Sequence, residues 1–198
     1  MGRPVDPAKR QAIIDAAIAA FFDVGFAACS IEGIAADAGV SKVTVYNHFG
    51  DKAGLFAAAV EAECEQMRGV MLPEIDDLPI RERLTKVAER MHAFLFRPRM
   101  LAFERRLASE AERVPELGRI FLDAGPRRMK AGLAAMLERA RARGELDFPD
   151  PLIAAEQFAG MMKGMADLEW RFAGEHDAEV NSARIRHAVD TFLAAYGT

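Results

Sequence analysis

Residues 41–52, SKVTVYNHFGDK, hold the densest run of side chains able to do chemistry in this 198-residue chain. Ser41, Thr44, Tyr46, Asn47 and His48 bring hydrogen-bonding groups, Lys42 and Lys52 bring cations, and Val43 a small apolar surface. Hydroxyls, rings and ammonium groups of this kind suit phosphate oxygens, which position a protein on a duplex. An amide such as Asn47 can pair two-pronged with a base edge, and a small apolar group can meet a thymine methyl. This is the chemistry of binding, not of bond-making. Elsewhere the chain has no plausible nucleophile–base arrangement and no Gly-rich phosphate loop, so no catalytic residue is assigned. His92, His176 and His187 are scattered, and His187 with Asp190 is too small a set for a metal. No metal and no cofactor is expected.

The elements that would carry these residues follow from spacing. Pro7 can open a helix whose apolar residues Ile13, Ile14, Ala17, Phe21 and Phe22 recur with helical period, and Gly25 closes it. Ser30 can cap a short second helix with Ile31, Ile34 and Ala35 on one stripe. Gly39 then supplies the positive φ of a tight turn, and Ser41 caps a third helix from Lys42 to Phe49. Val45 and Phe49 face inward, which leaves Lys42, Val43, Thr44, Tyr46, Asn47 and His48 outward or on the flanks. Two short helices about a glycine turn are the layout of a helix-turn-helix, whose second helix enters the major groove. Gly50 stops that helix and Asp51 caps a fourth, which continues to about Met71. Backbone N–H groups at Ser41-Lys42 and Asp51-Lys52 suit phosphates, and Arg3, Lys9 and Arg10 can form a basic arm.

Beyond an interruption at Pro73 to Pro79, helices are expected at about 79–96, 98–112, 116–143, 150–173 and 179–196. Gly125-Pro126 should kink or split the third of these. The fold class is therefore all-α: residues 1–50 as the helix-turn-helix domain, 51–71 as a connector, and 75–198 as a helical ligand-binding and dimerising domain.

Bulk charge sets a constraint. The net charge is -4, and residues 1–55 carry five cations against six acids, so binding to nucleic acid rests on where the cations sit. Cys29 and Cys64 are far apart and outside any C-x-x-C spacing, which fits a reducing compartment. The start lacks a signal-peptide h-region, and no apolar run approaches the ~18 residues of a membrane span. A cytoplasmic protein without a membrane partner is expected.

Residues 40–55, VSKVTVYNHFGDKAGL, with Phe21, Gly25 and Ile34-Ala35 upstream, resemble the TetR family of bacterial regulators. The resemblance implies phosphate contacts from Thr44, Tyr46, His48 and Lys52, and base-edge contacts from Lys42, Val43 and Asn47. Ser30 and Ser41 complete the DNA-facing set. Ala53 departs from a commonly acidic position. Ser109 to Leu117, Asp123 to Pro126, Arg143 to Leu146 and Asp150 to Phe158 are similar to the AefR-like branch. The family implies a homodimer on double-stranded operator DNA and a repressor released by a small-molecule effector.

All internal methionines lie between Met67 and Met165. Met67, Met91, Phe94, Phe103, Met129, Phe158, Met162 and Met165 can line an adaptable apolar pocket, with Arg106 anchoring a polar end, or can simply form helical core. The alternative to a regulator is a helical ligand carrier or interaction module whose helix-turn-helix no longer binds DNA.

Overall fold

The computed structural model describes residues 6–68, 77–174 and 177–198. Arg3, Met71, the interruption at Pro73 and His176 lie outside them. Every regular element among these residues is helical, apart from one antiparallel bridge between Leu146 and Gly197. The chain forms two compact units, one from Met1–Glu65 with Pro98–Arg127, the other from Gln66–Arg97 with Arg128–Thr198.

In the first unit, α1 (Pro7–Asp23) starts from an Asp6 cap, and Ile13, Ile14, Ala17, Phe21 and Phe22 are buried along its inner stripe. α2 (Ile31–Asp37), α3 (Lys42–Phe49) and the first residues of α4 (Lys52–Arg68) close around it. α6 (Pro98–Arg113) and α7 (Pro115–Ala124) belong to the same unit. Its core is aromatic: Phe22 and Phe103 stack at 4.0 Å, and Phe21, Phe26 and Phe56 meet at 5.3–5.7 Å. Ring pairs in such geometries add stabilisation beyond the area they bury.

The second unit is built on α5 (Ile80–Leu95), α9 (Pro151–Lys163) and α11 (Ala178–Tyr196), with most of α8 (Pro126–Ala142). Phe158 and Phe192 meet at 5.1 Å between α9 and α11. Arg83, wholly buried, forks onto Glu145 at 2.9 and 3.1 Å and donates to the Leu78 carbonyl at 2.7 Å. The fork ties the start of α5 to the loop after α8.

Two of the expected helical segments are broken, the first at the expected place and the second where continuity was expected. The 116–143 segment divides at Gly125-Pro126 into α7 and α8, because proline has no N–H to continue the ladder. The 150–173 segment breaks at Gly164, φ +48°, and resumes as a short α10 (Ala166–Leu168) that runs into a π-helical turn over Glu169–Ala173.

Candidate nucleic-acid interface

The α2–α3 pair is held by caps that the local sequence dictates. Ser30 Oγ accepts the Gly33 N–H at 3.0 Å, and Ser41 Oγ accepts the Thr44 N–H at 3.1 Å. Between α2 and α3, Gly39 takes φ +66°, and the Val40 N–H returns to the Ala35 carbonyl at 2.9 Å. A side chain in that left-handed region would add strain where two helices must turn sharply, so glycine is favoured. Past α3, Asp51 Oδ1 caps α4 through the Gly54 N–H at 2.7 Å, which gives this turn an acid even with alanine at 53. A Cβ at Gly54 would sit 2.2 Å from the Phe49 carbonyl oxygen, so this glycine sets how closely α4 follows α3.

α3 is anchored by Val45, 1% exposed. Val43 is 66% and Tyr46 40% exposed, and Ser41, Lys42 and Asn47 are also exposed. Thr44 and His48 are half-buried on the flanks, and Thr44 Oγ1 lies 2.9 Å from Ser41 Oγ. His48 Nδ1 is shielded from solvent without a hydrogen-bond partner. The outward set is thus brought onto one short helix.

The two lysines are less free than their spacing suggests. Lys42 Nζ pairs with Glu32 of α2 and lies 5.6 Å from the Tyr46 ring centroid. The hydrogen bond from Lys42 holds the Glu32 carboxyl below its ordinary range, and Glu32 raises the Lys42 ammonium in return. Lys52 donates to the Cys29 carbonyl and sits 4.6 Å above the Phe26 ring. Burial pushes the Cys29 thiol up, against the opposing pull of Lys52, and its Sγ lies 2.9 Å from the Gly25 carbonyl.

Spacing also left unseen how α6 grips the turn between α1 and α2. Arg99 pairs with Asp23 at 2.7 Å and reaches the Ile18 carbonyl at 3.2 Å. Arg106 donates to the Phe22 carbonyl, and Glu110 accepts the N–H groups of Phe26 and Ala27, both at 3.1 Å. Gly25, φ +106°, leaves space for Glu110, since a Cβ there would lie 2.9 Å from Oε1. Arg106, expected to anchor a ligand, is thus engaged by the end of α1, and Phe103 by the Phe22 ring.

Of the other residues assigned to an effector pocket, Met67, Met91, Phe94, Met129, Phe158 and Met162 are buried in the second unit. Met165 is 57% exposed, because the break at Gly164 takes it out of the α9 stripe. Among the described residues, no group of three or more His, Cys, Asp and Glu could hold a metal ion, and no helix is long and apolar enough to cross a membrane.

Comparison with known proteins gives this arrangement its relatives. Residues 82–198 match the C-terminal domain of AefR-like transcriptional repressors, and residues 13–59 match the bacterial regulatory proteins of the tetR family. The transcriptional regulator BetI of Rhizobium meliloti (strain 1021) is 29% identical over 196 residues, covering 98% of this chain and 93% of BetI. A TetR-family regulator from Mesorhizobium loti shares 32% identity over the full length of both chains, with a TM-score of 0.81. The flavonoid-responsive regulator FrrA shares 34% identity over 97% of this chain and 98% of its own, with a TM-score of 0.77.

Proposed function

The chain belongs to the TetR family of bacterial transcriptional regulators, and on that premise we propose that it is a homodimeric repressor released from its operator by a small, largely apolar effector. It is a DNA-binding regulator. The observation that carries the proposal is the outward face of α3, set by the burial of Val45 and the Ser41 cap. Thr44, Tyr46, His48 and Lys52 contact phosphates, with the N-terminus of α3 adding backbone N–H groups. Lys42, Val43 and Asn47 meet base edges. The effector occupies the second unit, and the flavonoid response recorded in FrrA's name supports an aromatic, mainly apolar molecule. α4 runs from Lys52 to Met67 and Arg68, so it links the DNA-facing turn to that unit.

Gel shifts on DNA upstream of the protein's own gene test the reading. Wild type should bind with a steep salt dependence. Tyr46→Phe should weaken binding alike on all sequences, whereas Asn47→Ala should relax preference at one base pair, at about 1–3 kcal/mol. The roles are misassigned if Asn47→Ala leaves sequence preference intact while Tyr46→Phe changes it.

A further inference from the structure

The second unit contains a cavity of about 220 Å³ where α5 ends, α11 begins and α9 has given way to the π turn. Phe96, Trp170 and Val180 supply its apolar wall, and Glu169, Asp177 and Asn181 its polar side. None of these residues contributes to the DNA-facing head.

The polar side is built rather than incidental. Gly164 breaks α9, and a Cβ there would lie 2.9 Å from both Cδ and Nε of Arg184, so the break makes room for that side chain. The Arg184 guanidinium, whose side chain is 17% exposed, donates to Asn181 Oδ1 at 2.5 Å and pairs with Glu169 Oε2 at 3.5 Å. With its oxygen taken, buried Asn181 has amide N–H groups to offer. Glu169, paired through one oxygen, retains acceptor capacity. Asp177 caps α11 through the Val180 N–H at 3.0 Å. Single π turns are rare and are frequent companions of functional sites.

Charge selects the occupant. Glu169 is matched by Arg184, and Asp177 by the positive end of α11, so a cation gains little. An anion would face two carboxylates. A neutral molecule with one donor and one acceptor satisfies both Glu169 and Asn181, and its ring can lie against Trp170 and Phe96. The volume is below the ~300–1,000 Å³ of sites for drug-sized ligands, which limits it to one or two rings. We infer that this cavity binds a neutral mono- or bicyclic aromatic that carries a phenolic hydroxyl and a ring carbonyl. The hydroxyl donates to Glu169 and the carbonyl accepts from Asn181. The inference rests on the reading of the second unit as effector-binding and gives the effector a place and a chemistry.

Trp170 is the only tryptophan, so its emission reports on this cavity. The full chain would be titrated with 7-hydroxychromone, chromone and chromone-2-carboxylate, followed by calorimetry and Trp170 fluorescence. One 7-hydroxychromone per chain should bind and change the emission, about tenfold or more tightly than either of the others, the difference one charge-assisted hydrogen bond makes. Glu169→Leu should erase the preference over chromone. Val180→Phe, at a half-exposed wall position, should abolish binding of all three with the melting temperature kept. No binding at millimolar 7-hydroxychromone, no preference over chromone, or undiminished binding by folded Val180→Phe overturns the inference. Operator gel shifts separate the two readings. If 7-hydroxychromone binds here without changing operator affinity, the site stands and its effector role fails. If a different compound releases the operator equally well from wild type and Val180→Phe, the effector reading stands and this site is not where it acts.

Discussion

Lys42 opens the reading helix, yet its ammonium is already paired with Glu32 in the free chain. Both side chains are exposed, so the pair adds little to stability. On the proposed role of Lys42 its consequence falls on DNA binding, because a base edge must compete with Glu32 for the same cation. Glu32→Gln should therefore tighten binding several-fold on the preferred operator and less on unrelated DNA, because the freed cation meets a base edge. Gel shifts on both DNAs check this, and an unchanged operator affinity would show that Lys42 does not reach DNA. Glu145 is the opposite case, a carboxylate that matters to folding. Its hydrogen bond from buried Arg83, reinforced by Arg143, holds its carboxyl below the ordinary range. The folded form thus has the lower pKa, so the stabilisation is complete above the usual carboxylate range and is lost as pH falls through the folded value. Glu145→Gln should cost about 3 kcal/mol at pH 7, because it takes the forked carboxylate charge from a buried guanidinium. Urea unfolding at pH 7 and pH 3 should show the gap between wild type and variant narrowing in acid. A gap that stays constant would mean the pair is not ionic. Neither partnership was legible in the sequence, since Lys42 and Glu32 are joined by the α2–α3 angle and Arg83 and Glu145 by the approach of α5 to a loop 62 residues on. The outward face of α3 was legible from Val45, which is buried, although Phe49, expected inward beside it, is only half-buried.

Helix ends in the head could be read because their causes are local. Ser30, Gly39, Ser41 and Gly50 each act within four residues of themselves, through a cap or a positive φ. The break at Gly164 could not. MMKGMADLE keeps a helical apolar period, and a lone glycine costs a helix only ~1 kcal/mol. The contact that goes with it is remote, since Arg184, twenty residues later in the chain, fills the place a Cβ at Gly164 would take. The placement of α6 is similarly non-local: its residues follow the whole of α5, yet Arg99, Arg106 and Glu110 hold the end of α1. This makes α6 a positioning element for the head, because the turn it holds sets where α2 leaves α1. Glu110→Ala strips the acceptor from two N–H groups and should destabilise the protein by about 1–3 kcal/mol. It should also weaken DNA binding uniformly across operator sequences, with Glu110→Gln between it and wild type. Urea unfolding and gel shifts on a panel of operators check this. A Glu110→Ala protein as stable as wild type would remove the clamp.

One reading helix contacts few base pairs, and the proposed dimer gains specificity by presenting two. Phe158 and Phe192 are buried where α9 and α11 of one chain pack together, so they are not available to a second copy. What those helices leave outward is a shallow groove at Gln157, Gly160, Met161, Thr191, Ala195 and Tyr196, with Leu152 and Ile153 half-exposed nearby. Gly160 is informative. It sits inside α9, exposed, and a Cβ there would meet nothing within 4 Å. A helical glycine gives up roughly 0.5–1 kcal/mol relative to alanine, and nothing among the described residues requires that sacrifice. Close approach of a second copy's helix, in the proposed dimer, would require it. In a two-fold dimer the same patch faces itself, and the paired reading helices meet half-sites ~34–36 Å apart or somewhat more. Gly160→Ala should then raise the stability of the isolated fold by up to about 1 kcal/mol while loosening the dimer. Gly160→Arg should sediment as a monomer with its helical circular dichroism intact, and should lose operator binding although no residue of α3 has changed. If Gly160→Arg remains a dimer at micromolar concentration, or binds the operator as a monomer with wild-type affinity, the two copies meet elsewhere than on this face.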